Sequence, residues 1–204
     1  MYSPKPSSLV PTDIQAEGDV LLNTNADSLP LDYATRIALI HRELGIPKDY
    51  ARQFQLSLRA EAQELTSIGA DVYGRVQHLQ PHAARSWQAM RSQAQRENVL
   101  LLVISAFRSV DYQRGVIARK LASGKTIGEI LRVNAAPGYS EHHTGCALDL
   151  TTSDQRSLET AFENTSAFAW LRQNAGHFGF SLSYPRNNPH GIAYEPWHWA
   201  CMEG

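Results

Sequence analysis

The rhythm of apolar and polar positions changes twice along this chain, and the changes divide it into three parts. Residues 1–29 are rich in Pro, Ser, Asn and Asp and carry no hydrophobic period, which predicts an extended or partly disordered arm. From Leu31 to Leu44 apolar residues recur at Ile37, Ile40 and Leu44, the spacing of one helix face, and Gly45 stands where a left-handed C-terminal residue is expected. Pro47 predicts the start of a second helix running to Leu65, because a first-turn proline gives up no helical hydrogen bond. Residues 30–69 thus read as a helical extension. Pro81 predicts a third helix ending near Asn98, with Ala84, Trp87, Met90 and Ala94 on one face.

The rhythm then shortens. Val99–Ile104 is a continuous apolar run and reads as a buried central strand. A loop, Ser105–Ser109, leads into a helix over Tyr112–Ala122, and Thr126 is placed to cap a short helix through Leu131. Further strands are predicted at Gly145–Thr151, Phe180–Tyr184 and Trp197–Met202. A helix over Ser166–Ala175, stopped by Gly176, falls between them. Helices first and strands later predict an α+β fold, with helices covering one side of a sheet.

Composition narrows the classes. A chain of 204 residues suits one domain, or one domain with an extension. The net charge of -1 gives no electrostatic reason to expect nucleic acid or an anionic membrane as partner. No run approaches the roughly 20 apolar residues of a membrane-spanning helix. The first residues lack the basic and then apolar pattern of a secretory signal, so the chain as written is expected to start in the cytoplasm. The two cysteines, Cys146 and Cys201, form no CxxC pair, which argues against a thiolate zinc site. They are expected as small buried residues, with a disulfide between them left open.

Three separated segments share one chemical theme: Ser140–Asp149, Glu195–His198, and Ser105–Ser109 with Gln113 just beyond. A catalytic zinc takes three protein ligands, commonly neutral imidazoles and a carboxylate, and keeps one position open. His142 and Asp149 can share an ion if the chain bends between them, and Gly145 permits that bend. Ala147 shares the sheet face of Asp149, leaves room there, and turns Cys146 to the opposite face. Glu195 and His198 would face opposite ways on a regular strand. Pro196 breaks the strand at that point, so both can be aimed into one cleft, His198 as third ligand and Glu195 as the base that takes a proton from water. Arg108, on the loop after a buried strand, can stabilise an oxyanion or grip a substrate carboxylate. Taken singly, Asp149 could cap a turn and Arg108 could pair with a surface acid.

The patterns SxHxxGxAxD and ExWH, with SxxRS upstream, resemble the VanY-type D-alanyl-D-alanine carboxypeptidases, peptidoglycan-trimming zinc peptidases of the LAS group. The resemblance covers residues 70–202. It implies a single zinc ion per chain on His142, Asp149 and His198, with Glu195 as base, and substrate contacts from Arg108, Gln113 and Ser140. It also implies a small central antiparallel sheet with the metal in an open groove, and a peptidoglycan stem peptide as partner. An exported chain would then act in the periplasm or cell wall. LD-carboxypeptidase, D,D-dipeptidase and phage-type endopeptidase activities fit the same site. A non-catalytic zinc-stabilised module of the Hedgehog kind is the alternative from another class. His143 is expected behind the ligands or on the surface. Trp197 and Trp199 are expected in the core beneath His198. His41, His78, His82, His177 and His190 fit no ligand spacing and are expected as ordinary exposed or hydrogen-bonded histidines.

Overall fold

The computed structural model describes residues 32–153 and 158–201, so the N-terminal arm lies outside the described residues. Helix α1, Tyr33–Leu44, forms where the apolar spacing put it and buries Ile37, Ile40 and Leu44. The Asp32 side chain accepts from the Thr35 N–H at its start, and Gly45, at φ 69°, ends it. Beyond Pro47 the expectation fails. Only Tyr50–Gln53 is helical (α2), and Gln55 turns the chain with a positive φ of 49°. The residues up to Leu65 run on without regular structure because their backbone finds partners elsewhere: the Arg59 N–H donates to the Gly138 carbonyl and the Ala62 N–H to that of His143. Tertiary hydrogen bonds thus override local helical preference.

A hairpin unforeseen in the sequence follows, β1 (Thr66–Ala70) and β2 (Val76–Leu79), antiparallel with a bulge between Ser67 and Gly69. Its turn is built on Asp71, whose carboxylate accepts from the Tyr73 and Arg75 N–H groups, from the Arg75 guanidinium at 2.7 Å and from the Gln77 amide. Helix α3 spans Pro81–Arg96 and buries Ala83, Ala84, Trp87, Met90 and Ala94. The apolar run supplies β3 only at Leu102–Ser105, and Leu100 is exposed. Helix α4 (Val110–Ala122) is capped by Ser109, and α5 (Ile127–Leu131) by a reciprocal pairing of Thr126 and Glu129. A single 3₁₀ turn, Glu141–Thr144, leads through Gly145 into β4, Ala147–Thr151. Helix α6 (Ser166–Asn174) continues past Gly176 as a 3₁₀ turn and ends at Gly179. Strands β5 (Phe180–Leu182) and β6 (His198–Cys201) complete the fold.

Strands β3, β4, β6 and β5 form one antiparallel sheet in that order. Leu148 and Leu150 of β4 enter a core shared with Trp87, Met90, Leu171 and Trp199, so α3 and α6 cover that face. A second cluster joins α1 and α2 to α4 and α5 through Ile37, Ile40, Tyr50, Val110, Ile117 and Ile130. The expected packing of helices on the sheet therefore belongs to α3 and α6, while α1 packs on α4. Alternation along β4 turns Asp149 away from the first core.

Gly145 joins these parts. At φ 67° it adopts the left-handed conformation, and its carbonyl accepts from the Gln80 N–H at 2.9 Å. A Cβ there would stand 3.0 Å from that nitrogen and 3.2 Å from the Ala62 Cβ. Gly145→Ala is expected to lower unfolding free energy by about 1–3 kcal/mol, measured by urea denaturation.

Candidate active site

Strand register does much of the assembly. Asp149 of β4 lies directly opposite His198 of β6, and directly opposed residues share a face. His198 Nδ1 sits 3.0 Å from Asp149 Oδ1. Pro196 makes the bend its sequence implies: the His198 N–H donates to the Glu195 carbonyl at 3.1 Å, a turn with proline at its second position. The Glu195 N–H is fixed by the Tyr184 carbonyl.

His142 arrives from the 3₁₀ turn and is gripped by the Ser105–Ser109 loop. Its Nδ1–H donates to the Ala106 carbonyl at 2.6 Å, and its own carbonyl accepts from the Arg108 N–H. That bond leaves Nε2 as a bare acceptor, fully buried and without a hydrogen-bond partner, 3.3 Å from the Asp149 carboxylate. Two acceptors facing each other in a buried site call for a cation between them. Burial, with the Arg108 charge, lowers the His142 pKa to about 4, so the ring is neutral. Asp149 is held well below the ordinary carboxylate range: burial opposes ionisation, but the charges of His198 and Arg108 outweigh it.

His198 differs. Its Nε2 lies 2.8 Å from Glu141 Oε2 while Nδ1 faces Asp149. Burial disfavours its charge, but the two carboxylates raise its pKa to about 10. The Glu141 contact fixes a proton on Nε2, and Nδ1 donates its own proton to Asp149, a proton that an ion taking Nδ1 as ligand would displace. Ligand atoms of His142, Asp149 and His198 all lie within 4.8 Å of one another. These donors, two imidazoles and a carboxylate, match a catalytic zinc site.

Around this trio runs a cleft lined by Arg108, Lys120, Ser140, Tyr184, Glu195 and Trp197, among others. Burial pushes the Glu195 carboxyl up to about 7; His198 opposes that rise and Asp149 adds to it. Arg108 reaches Asp149 Oδ2 at 3.6 Å, and its Nε is buried without a hydrogen-bond partner. Ser140 lines the cleft, and although it stands at the N-cap of the 3₁₀ turn its hydroxyl makes no capping hydrogen bond. Gln113 lies behind the wall, its amide N–H donating to the Ala135 carbonyl at 2.8 Å. Trp199 is buried in the core as expected, but Trp197 is half-buried and forms part of the cleft wall.

Two residues were missed by sequence reasoning. Glu141 holds His198, yet nothing local in the sequence marks it, because its partner is on β6. Lys120 left a signal: Val110, Gln113, Ile117 and Lys120 follow a helical stripe whose first three members are buried. Lys120 lines the cleft and bonds the Asn134 side chain, and burial, with Lys125 and Arg108 nearby, lowers its pKa.

His143 proves to be fully buried, not superficial. Its Nδ1–H donates to the Arg108 carbonyl at 2.6 Å and its Nε2 accepts from the Gly138 N–H at 3.0 Å, so only the neutral ring satisfies both. Burial lowers its pKa below the ordinary 6.5. The unfolded chain therefore binds the proton more readily, and this stabilisation, present above pH 6.5, is lost as pH falls. The stability gap between the native chain and His143→Gln is expected to narrow from about pH 7.5 to about pH 5.5, read by urea denaturation.

Comparison with known proteins decides the family. The family model described as VanY, D-alanyl-D-alanine carboxypeptidase, matches residues 76–203. This chain belongs to the VanY family. It is 29% identical over 173 residues to a D-alanyl-D-alanine carboxypeptidase of Enterococcus faecalis, covering 80% of this chain and 57% of that one. It is 29% identical over 126 residues to VanXYC of Enterococcus gallinarum, a bifunctional D-Ala-D-Ala dipeptidase and carboxypeptidase, covering 59% and 65%. The chain thus spans under two thirds of the length of these curated relatives. Among solved structures, the LdcB LD-carboxypeptidase is 31% identical with a TM-score of 0.63, covering 71% of each chain. VanYB in complex with D-alanine-D-alanine is 25% identical with a TM-score of 0.55, covering 72% of this chain and 87% of that one. The α+β VanY fold holds for this chain. No helix among the described residues is long and apolar enough to cross a membrane.

Proposed function

We propose that this VanY-family chain is a zinc-dependent D-alanyl-D-alanine carboxypeptidase, hydrolysing the C-terminal peptide bond of peptidoglycan stem peptides. The observation that carries the reading is the buried, partnerless Nε2 of His142 facing Asp149, with His198 opposite and the raised carboxyl of Glu195 in the same cleft. His142, Asp149 and His198 would hold the zinc. When bound, zinc would supply Lewis-acid polarisation of the scissile carbonyl and acidification of water.

The chain's own residues do the rest. Glu195 Oε accepts a proton from the attacking water and returns it to the leaving amine, a role suited to a carboxyl whose pKa is near neutrality. Arg108 offers its guanidinium to the negative charge that develops on the carbonyl oxygen. Lys120 and Arg108 line the same cleft, so a peptide ending in a free carboxylate finds complementary charge there. Ser140 offers a hydroxyl to the peptide. Gln113 acts on the substrate through the Ala135 wall that it holds. The presence of Glu195 and Arg108 speaks against a binding-only zinc module, which needs neither.

A second reading rests on the likeness to LdcB, 31% identical over 71% of both chains: cleavage of the terminal L,D bond of a tetrapeptide stem. Zinc-loaded protein offered pentapeptide and tetrapeptide stems separates the two. Release of D-alanine from the pentapeptide alone supports the D,D reading. Release from the tetrapeptide alone replaces it, and hydrolysis of neither removes both.

A further inference from the structure

We propose that the chain carries a second metal site, separate from the catalytic cleft, in which Cys146, Cys201 and His82 bind a thiophilic divalent cation of the zinc class. Cys146 immediately precedes β4 and Cys201 ends β6. The register that pairs Ala147 with Ala200 sets the cysteines side by side, and the Cys201 N–H donates to the Cys146 carbonyl at 2.9 Å. Cys146 shares a core with Leu148 and Leu150, so this cluster lies on the sheet face away from Asp149. His82, in the first turn of α3, closes the group: its Nε2 is 3.6 Å from Cys146 Sγ and 3.9 Å from Cys201 Sγ.

These spacings suit a metal. With Zn–S near 2.3 Å and Zn–N near 2.0–2.1 Å, tetrahedral angles put nitrogen about 3.5 Å from each sulfur and the sulfurs about 3.8 Å apart. The three ligand atoms lie within 4.8 Å of one another, so rotamer adjustment of at most about 1 Å brings them onto one ion. Two sulfurs and an imidazole select zinc-like ions over magnesium or calcium. The first turn of a 16-residue helix, where His82 sits, favours anionic thiolates nearby. The Gln80 amide oxygen, 3.9 Å from Cys146 Sγ, stands beside the fourth position. A surface groove lined by His82, Glu61, Gln63 and Arg85 gives an ion access.

Binding would release the two thiol protons and take His82 as a neutral donor. The ion would clamp α3 to β4 and β6, the strands that carry Asp149 and His198. The absence of a CxxC pair did not bear on this site, because its ligands come from three separated segments joined only by the sheet.

The test is cobalt titration of the metal-free full-length chain, kept reduced with a phosphine. Native protein is expected to bind two equivalents, one of them raising a sulfur-to-cobalt charge-transfer band in the near ultraviolet. The Cys146→Ser, Cys201→Ser double variant should bind one equivalent without the band. His142→Ala should keep the band, which separates this site from the catalytic one. His82→Ala, a partly exposed position, should fold normally and bind the band-forming cobalt at least tenfold more weakly. A native chain that shows no band overturns the proposal. So does a band that survives in the double serine variant, or recovery of the two cysteines as a disulfide that takes up no cobalt.

Discussion

Glu195→Gln is expected to leave fold and zinc content unchanged and to lower kcat on a stem peptide by at least about 100-fold, the lower range for loss of a general base. The substitution keeps the shape and one oxygen but removes the group that can take and return a proton. Its neighbours explain why the native carboxyl is poised for this. Burial pushes it up to about 7, while the same cleft holds Asp149 far below the carboxylate range. Two acids within one cleft are thereby split into a permanent anion and a group that exchanges protons near neutrality. The glutamine should be tolerated, since the backbone of residue 195 is fixed by the Tyr184 carbonyl and the His198 N–H and not by the carboxylate. KM should move little, because the proposed mechanism has Glu195 act on water and not on the peptide's ends. Circular dichroism, metal analysis and steady-state kinetics on one preparation check all three parts. Undiminished turnover would assign the proton transfer to another group.

The residues that meet at this centre were legible in the sequence because each carried a local signal. The glycine after His142–Thr144 marked a bend, the small Ala147 marked the face of Asp149, and Pro196 marked the break that aims Glu195 and His198 together. The residues behind them were not legible. Glu141 acquires its role from a histidine 57 positions away, and His143 from the Arg108 and Gly138 backbones. His82 looked like an ordinary exposed or hydrogen-bonded histidine because its sulfur neighbours arrive just before β4 and at the end of β6. The same limit explains the fold errors. Residues 54–65 carry helical composition, but the Arg59 and Ala62 N–H groups are claimed by the Gly138 and His143 carbonyls, a competition that local propensity does not register. The β1–β2 hairpin was overlooked because its turn is organised by one carboxylate, Asp71, and not by a two-residue glycine turn.

His142→Ala should abolish zinc retention in the catalytic cleft and bring activity to background. The loss is larger than that of one ligand bond, because it also frees the Ala106 carbonyl that now accepts from Nδ1 and leaves Asp149 facing His198 and Arg108 alone. Asp149 would then remain ionised and satisfied without a metal, so the site loses its demand for a cation as well as a donor. Glu141→Gln offers the graded companion. The glutamine can still meet His198 Nε2, but it lacks the charge that makes the imidazole a strong donor; in the native chain the same contact holds the Glu141 carboxyl at a pKa of about 2 against the cost of burial. Outer partners of this kind contribute about 10–100-fold in metal affinity or activity. In the Cys146→Ser, Cys201→Ser background, competition with a chelator should therefore rank the chain with the trio intact first, Glu141→Gln about 10–100-fold weaker, and His142→Ala below detection. Equal affinity of all three would separate zinc from this trio.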